Sequence, residues 1–209
     1  MAPRTPKKPL EWTVENAFYT EGFTVICGTD EAGRGPLVGP VSAAACILPK
    51  GLIIPELNDS KQISEKKRDR LYDIITECAV SWAVEMVEPE VIDEINILNA
   101  AQLAMRRAVA RLNPTPDLVL VDGNVARDFP MKAVPVVKGD AISPNIAAAS
   151  IIAKVSRDRL CEELDAMYPE YGIAKHKGYP TKEHMDAVRK YGPSPAHRKS
   201  FLGFLDKEQ

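Results

Sequence analysis

Acidic side chains dominate the chemistry this chain can offer. Asp30 and Glu31 are adjacent, in the stretch Gly28-Thr29-Asp30-Glu31-Ala32-Gly33-Arg34-Gly35-Pro36, and follow the apolar run Phe23–Gly28. Asp122 closes the apolar run Asp117–Val121, and Asp140 follows Ala133–Val137 by way of Lys138 and Gly139. A carboxylate so close to a core is costly unless it is paired or holds a cation. Four oxygen donors with no His or Cys nearby suit hard divalent ions, Mg²⁺ or Mn²⁺, which retain waters for coordination and chemistry. Two such ions about 4 Å apart can activate a water and stabilise the leaving oxygen of an in-line displacement at phosphorus. For Asp30 and Glu31 alone, an exposed acid pair beside a turn is an equal reading; Asp122 and Asp140 tip the balance toward metal.

Other phosphate-binding devices are missing from the sequence. The glycines at 33, 35 and 39 have the wrong spacing for a dinucleotide fingerprint, and Pro36 and Pro40 forbid the helix that has to follow it. No Gly-Lys-Ser/Thr of the P-loop kind occurs. Gly33 and Gly35 instead allow unusual backbone angles and close approach of a ligand to main-chain N–H groups. Adjacent strand residues face opposite ways, so Asp30 and Glu31 reach one ion only if the strand ends there or Glu31 turns back with the loop. Asp158, between Arg157 and Arg159, reads as a salt-bridge partner rather than a fifth ligand. His176, His184 and His197 invite a general-base role, but metal activation of water makes a base unnecessary, and phosphate contact or loop packing is the expected use.

The elements that must position these groups follow from periodicity. Phe23–Gly28 and Leu37–Leu48 read as two strands joined by a tight connection, with prolines 36, 40 and 49 punctuating the second. Ser64 caps a charged helix to Cys78, Ala79–Val87 alternates as a strand, and a helix runs from Asn96 to Leu112. Two short buried strands, Asp117–Val121 and Ala133–Val137, precede Ser143-Pro144, a cap and first-turn pair for a long helix striped by Ile146, Ala149, Ala153, Leu160, Leu164 and Met167. A last helix covers Thr181–Lys190 before a loop-rich tail. Consecutive strands able to pair as a hairpin argue for a mixed α/β sheet.

With 209 residues, 45% apolar and 27% charged, one compact unit is expected. The expected organisation is a flexible leader over 1–20, a catalytic domain over 21–170, and a helical and loop extension over 171–209 packed on it. Residues 1–9 carry three prolines and three basic residues and nothing to bury. Cys27, Cys46, Cys78 and Cys161 lack any close pairing, so they read as reduced, mostly buried thiols of a cytoplasmic protein. No run approaches the roughly 20 apolar residues of a membrane span. The net charge of −2 disfavours a polyanionic partner until its distribution is considered: residues 175–199 carry net +5. Binding to nucleic acid should therefore be salt-sensitive, and only moderately tight without metal. The acidic stretch Glu85, Glu88, Glu90, Asp93 and Glu94 reads as a solvated face.

In order, DEAGRGPLVGPV, NDSKQIS, VDGN, KGDAISPNIAAASIIAKVSRD, KHKGYPTKEH and HRKSF resemble the signature blocks of bacterial ribonuclease HII, the type 2 ribonuclease H family, over about residues 25–204. The resemblance implies an RNase H-like fold: a mixed five-stranded sheet flanked by helices, with a C-terminal helical extension. It implies hydrolysis of the RNA strand of RNA–DNA hybrids and incision 5′ to single ribonucleotides embedded in duplex DNA, by two divalent ions, Mg²⁺ or Mn²⁺. Its metal-binding carboxylates fall on Asp30, Glu31, Asp122 and Asp140, the same four chosen above. Gly33-Arg34-Gly35 matches the loop that senses the 2′-OH, and Tyr179 the aromatic that stacks at the ribose–deoxyribose junction. The family's usual glycine after that tyrosine is here Pro180, which stiffens the loop. Phosphate contacts are implied for Asp59-Ser60-Lys61, for Asn145–Ser150 and for His197-Arg198. The expected substrate is an RNA–DNA hybrid or ribonucleotide-containing duplex, the expected state a monomer, and the C-terminal residues show no clear sliding-clamp motif. An RNase H-like deoxyribonuclease and a non-catalytic hybrid-binding module are the alternatives.

Overall fold

In a computed structural model the described residues are 9–58, 60 and 63–206. A five-stranded sheet, in the order β3-β2-β1-β4-β5, forms the centre. Its strands are β1 (Ile26–Ala32), β2 (Val41–Ile47), β3 (Ser81–Val87), β4 (Leu118–Asp122) and β5 (Lys132–Val136). Strands β1 to β3 form an antiparallel meander, whereas β1–β4 and β4–β5 are parallel, the mixed sheet expected. The helices are α1 (Thr13–Thr20), α2 (Glu65–Cys78), α3 (Pro89–Ile95), α4 (Ile97–Ala110), α5 (Pro144–Met167), α6 (Ile173–His176) and α7 (Lys182–Tyr191).

The two faces of the sheet bury separate cores, because successive strand residues alternate. On one face Cys27, Val41, Ala43, Val119 and Val121 pack with Ala101, Met105 and Ala108 of α4. On the other, Ala44 and Cys46 meet Ala147–Ala149, Ile151 and Ile152 of α5 and Leu71 and Ile75 of α2. The small residues at the start of α5 bring it close to the sheet; a Cβ on Gly28 would lie 2.2 Å from the Ile146 nitrogen. A third cluster joins Leu37, Val38, Cys161, Tyr171, Ile173, Val188 and Leu202, which seats α6 and α7 against α5. Among the described residues no helix is long and apolar enough to cross a membrane.

Four features depart from the sequence reading. Residues 13–20, assigned to a flexible leader, form α1: Trp12 is buried, and its indole N–H donates to the Leu52 carbonyl at 2.8 Å. Residues 1–8 lie outside the described residues. Strand β1 does not stop at Gly28 but runs through both acids to Ala32, because β2 pairs with it as far as Ala32 opposite Ser42. Conversely, residues 37–40 leave the expected second strand, and Val38 instead bridges to His197. Finally, part of the acidic stretch is the helix α3, whose Asp93 accepts from the Lys199 and Ser200 backbone N–H groups, both at 2.9 Å. That carboxylate fastens the tail rather than facing solvent, and these bonds hold its pKa below the usual carboxylate range against a partial burial cost.

Candidate active site

The carboxylates gather where β1 and β4 run side by side. In the parallel register Thr29 lies opposite Val121, so Asp30 and Asp122 follow next on adjacent strands and share a face. Asp30 is buried, 5% exposed, and burial first, then the charges of Glu31 and Asp122, push its pKa well above the carboxylate range. The Ser150 hydroxyl and the Glu31 N–H, 2.7 Å from Asp30 Oδ1, offset part of that cost. Glu31, at the end of the same strand, lines the same cleft as Asp30 and takes the Arg34 guanidinium at 3.2 Å. Asp122 Oδ1 accepts from the Gly139 N–H at 2.7 Å and the Asp140 N–H at 3.4 Å. It thereby holds the 3-10 turn Gly139–Ala141, entered through a left-handed Lys138 (φ 55°), that carries buried Asp140.

Asp30 is a buried carboxylate flanked by two others, and that charge excess fits a hard cation with an all-oxygen donor set. Among the described residues no three His, Cys, Asp or Glu side chains form a preassembled cage. Such an arrangement suits an ion that takes part of its shell from water and substrate oxygens.

A cleft of about 360 Å³ opens beside Asp30 and Glu31, walled by Gly33-Arg34-Gly35, Ser60, Ser150, Lys154, Arg157 and Tyr179. Gly33 is required twice over: its φ is +93°, and a Cβ there would lie 1.9 Å from Nε of Arg157. Tyr179 lies beside Gly35, where a Cβ would be 3.2 Å from its ring, and 45% of the residue remains exposed. Pro180 is therefore accommodated with the tyrosine facing the cleft. Arg34 has a half-exposed side chain that also borders a second, smaller cavity containing Asp122 and Gln102.

Not every expected contact residue reaches this cleft. Arg198 is fully buried, donating to the carbonyls of Gly33, Arg34, Pro36 and Gly39 at 2.7–3.2 Å. Its guanidinium turns the loop carbonyls inward, so it shapes the Gly33–Gly39 loop and has no face left for a phosphate. Burial and Arg157 pull its pKa down to about 9, still a cation at neutral pH. Asn145 is likewise internal, spanning Glu15 and the Leu48 N–H, which places it as a brace rather than a phosphate contact. His197 is buried and bonded within the protein at both ring nitrogens. Ser150 does reach the cleft, its hydroxyl 2.8 Å from that of Ser60. Asp59 and Lys61 lie outside the described residues. Asp158 pairs with Lys154 and with Arg68, the structural role anticipated for it.

Sequence reasoning did not single out Arg157. It is buried without an ion pair among the described residues, donates to the Val38 and Lys177 carbonyls, and keeps an unpartnered Nε behind Gly33. Its one signal is its place in the SRD turn of a helix otherwise apolar on that side.

The histidines stand away from the carboxylates. Burial and nearby His184 pull the His197 pKa down to about 4, and burial lowers that of His184. An unfolded chain, with histidines near 6.5, binds protons that the folded protein refuses. Stability is therefore expected to be intact above pH 6.5 and to fall as the pH drops from about 6.5 toward 4. Urea midpoints measured across that window, and flattened in His197→Gln, check it.

The model for Ribonuclease HII matches residues 27–203. A protein of that name from Endomicrobium trichonymphae is 54% identical over 191 residues, 91% of each chain. One from Caldanaerobacter subterraneus subsp. tengcongensis is 51% identical over 188 residues, 90% of this chain and 78% of the relative. The ribonuclease H2 structure from Pyrococcus horikoshii OT3 superposes with a TM-score of 0.68 at 26% identity, over 88% of this chain and all of that one. A Bst-RNase HIII structure in complex with Mn²⁺ shares the fold, with a TM-score of 0.60 at 17% identity over 88% and 71% of the chains.

Proposed function

Because the chain belongs to the ribonuclease HII family, we propose that it is an endoribonuclease that hydrolyses the RNA strand of RNA–DNA hybrids and incises 5′ to a ribonucleotide embedded in duplex DNA. The observation that carries this reading is the buried Asp30, held between Glu31 and Asp122 at the rim of a cleft whose opposite wall is Gly33–Gly35 and Tyr179. Asp30, Glu31, Asp122 and Asp140 would hold divalent ions, Mg²⁺ or Mn²⁺, in agreement with the Mn²⁺ complex of the related fold. Such ions, when bound, supply Lewis-acid activation of water and of the scissile phosphate.

The chain's own residues do the rest. Arg198 and Arg157 hold the loop carbonyls inward, which turns the Gly33 to Gly35 N–H groups toward a 2′-OH, beside an Arg34 side chain that pairs with Glu31. Tyr179 offers a ring face for stacking at the neighbouring sugar–base unit, and Lys154 adds positive charge along the strand path. Asp122 sets the turn that carries Asp140, so both move together.

Three labelled duplexes of one sequence test the reading: one embedded ribonucleotide, a long hybrid and all DNA. Cutting of the first two in Mg²⁺ or Mn²⁺, with all-DNA cleavage at least about 10³-fold slower, is the expected result, since a missing hydroxyl leaves buried polar groups unpaired. Efficient cutting of the all-DNA duplex would instead favour a deoxyribonuclease.

A further inference from the structure

Three histidines lie beneath Tyr179, outside the carboxylate site. His184 and His197 are buried, and their Nε2 atoms face each other at 3.2 Å. His176 stacks on His184 with ring centroids 4.4 Å apart. Two facing Nε2 atoms can share a metal or a proton, and their other partners decide which. The Ser194 backbone N–H donates to His197 Nδ1 at 3.0 Å, so that nitrogen carries a lone pair and the ring proton is on Nε2. The Nε2–H of His197 then donates to His184 Nε2, which must accept. His184 therefore carries its proton on Nδ1, 3.1 Å from the Tyr179 carbonyl. A metal between the two Nε2 atoms would need a proton on His197 Nδ1, where the Ser194 N–H already points.

The relay has one direction and ends on the residue that faces the cleft. His176 repeats the device two peptides earlier: its Nδ1 accepts from the Gly178 N–H at 3.2 Å, and its Nε2 donates to the Tyr171 carbonyl at 3.0 Å. The peptides being held are unusual, with Lys177 at φ 50° and Gly178 at φ 80°. Such a left-handed pair persists only where its surroundings over-determine it.

We infer that His184 and His197 are positioning residues for substrate recognition: the chain Ser194 N–H to His197 to His184 to the Tyr179 carbonyl fixes where the Tyr179 ring stands over Gly35. The inference rests on the reading of Tyr179 as a stacking platform. It predicts that breaking the chain remotely, at His197, weakens recognition as a partial loss of Tyr179 does.

Asn and Gln separate the two ends of an imidazole. His197→Asn keeps an acceptor for Ser194 but loses the donor to His184, whereas His197→Gln keeps a donor near the Nε2 position. On the duplex with one embedded ribonucleotide, His197→Asn should raise KM about fivefold, the scale of one lost hydrogen bond, with kcat within about twofold. His197→Gln should restore most of that loss. In a Tyr179→Ala background His197→Asn should add less than about twofold, because the ring it positions is gone. Nitrogen NMR of the wild type should show His184 protonated on Nδ1 and His197 on Nε2. An equal loss in both backgrounds, no rescue by Gln, or the reverse tautomers would overturn the inference. If Tyr179→Ala itself leaves KM unchanged, the stacking role has failed and the inference falls with it; if Tyr179→Ala raises KM and His197→Asn does not, the relay alone has failed. Should His197→Asn not fold, His184→Asn, which keeps a donor near the Tyr179 carbonyl, against His184→Gln, which does not, makes the same comparison.

Discussion

Asp30→Asn should abolish hybrid cleavage, by about 10³-fold or more, and at the same time raise the thermal midpoint of the metal-free protein at neutral pH. The loss of activity follows from removing one of the charges that would hold the divalent ions, whose charge stabilisation is worth several kcal/mol in the transition state. The gain in stability follows from the same burial. Asp30 is pressed between core and like charges, so its folded-state pKa is raised, first by desolvation and then by Glu31 and Asp122. A carboxyl of that kind binds its proton more tightly folded than unfolded, so stability declines as the pH rises from the unfolded value near 4 through the raised folded value. Asn keeps the oxygen that accepts the Glu31 N–H and discards the charge. Calorimetry with and without Mg²⁺ checks both halves: the wild type should gain stability on adding the ion, and the variant should start higher and gain little. A variant less stable than wild type without metal, or one that still cleaves at near-normal rate, would remove Asp30 from this role.

Gly28→Ala should be strongly destabilising. The added Cβ would lie 2.2 Å from the Ile146 nitrogen and 2.3 Å from the Asn145 carbonyl carbon, both backbone atoms that no rotamer change can move aside. The backbone there is also braced: Asn145 accepts the Leu48 N–H at 2.8 Å, and Glu15 Oε1 accepts from the Ser143 hydroxyl at 2.6 Å and from Asn145. Helix α5 and strand β1 would have to separate, at a cost of about 3 kcal/mol or more, the upper range for overpacking. In a protein of this size that lowers the melting temperature by roughly 6–12 °C. Because α5 carries Ser150 and β1 carries Asp30, activity should fall at temperatures where the variant is still folded. Gly203→Ala is the control; nothing lies within 4 Å of its Cβ position, and its midpoint should stay within about 2 °C of wild type.

The legible parts of the sequence were those with strong periodicity or a local capping group. The apolar runs near 26, 118 and 133 became strands because their alternation, or their continuous burial, has no better use. Ser143 and Thr181 cap α5 and α7 by accepting the Ile146 and His184 N–H groups. The four acids were legible as exceptions within apolar surroundings, although β1 extended past its apolar run because pairing with β2 outweighs the polarity of two residues. Helix α1 was hidden because its buried residue, Glu15, signals solvent in any sequence, and the buried Trp12 stands just before it. Arg157 and Arg198 were hidden for a related reason. Arg198 carried only the phosphate contact implied by the resemblance and Arg157 only a place beside Asp158, yet here their donors are used on carbonyls that the loop's lack of secondary structure leaves unpaired. Only the chain's return across the loop, 159–165 residues later, shows that.

The clasp between Glu15 and Ser143 also bears on synthesis. It joins residues 128 positions apart, while β1 waits for β4 until residue 118 has been made. The β1–β2–β3 meander can therefore assemble early from neighbouring segments, but Asp30 stands at an unpaired edge until β4 arrives. Asp122, Asp140 and the start of α5 then come within 25 residues of one another and close α1, β1 and the acid cluster nearly together. A ribosome-bound chain stopped before residue 145 would carry all five strands but no α5, and Arg157, Tyr179 and Arg198, which shape the cleft, come later still, so the hydrolytic function emerges only when nearly the whole protein has been translated.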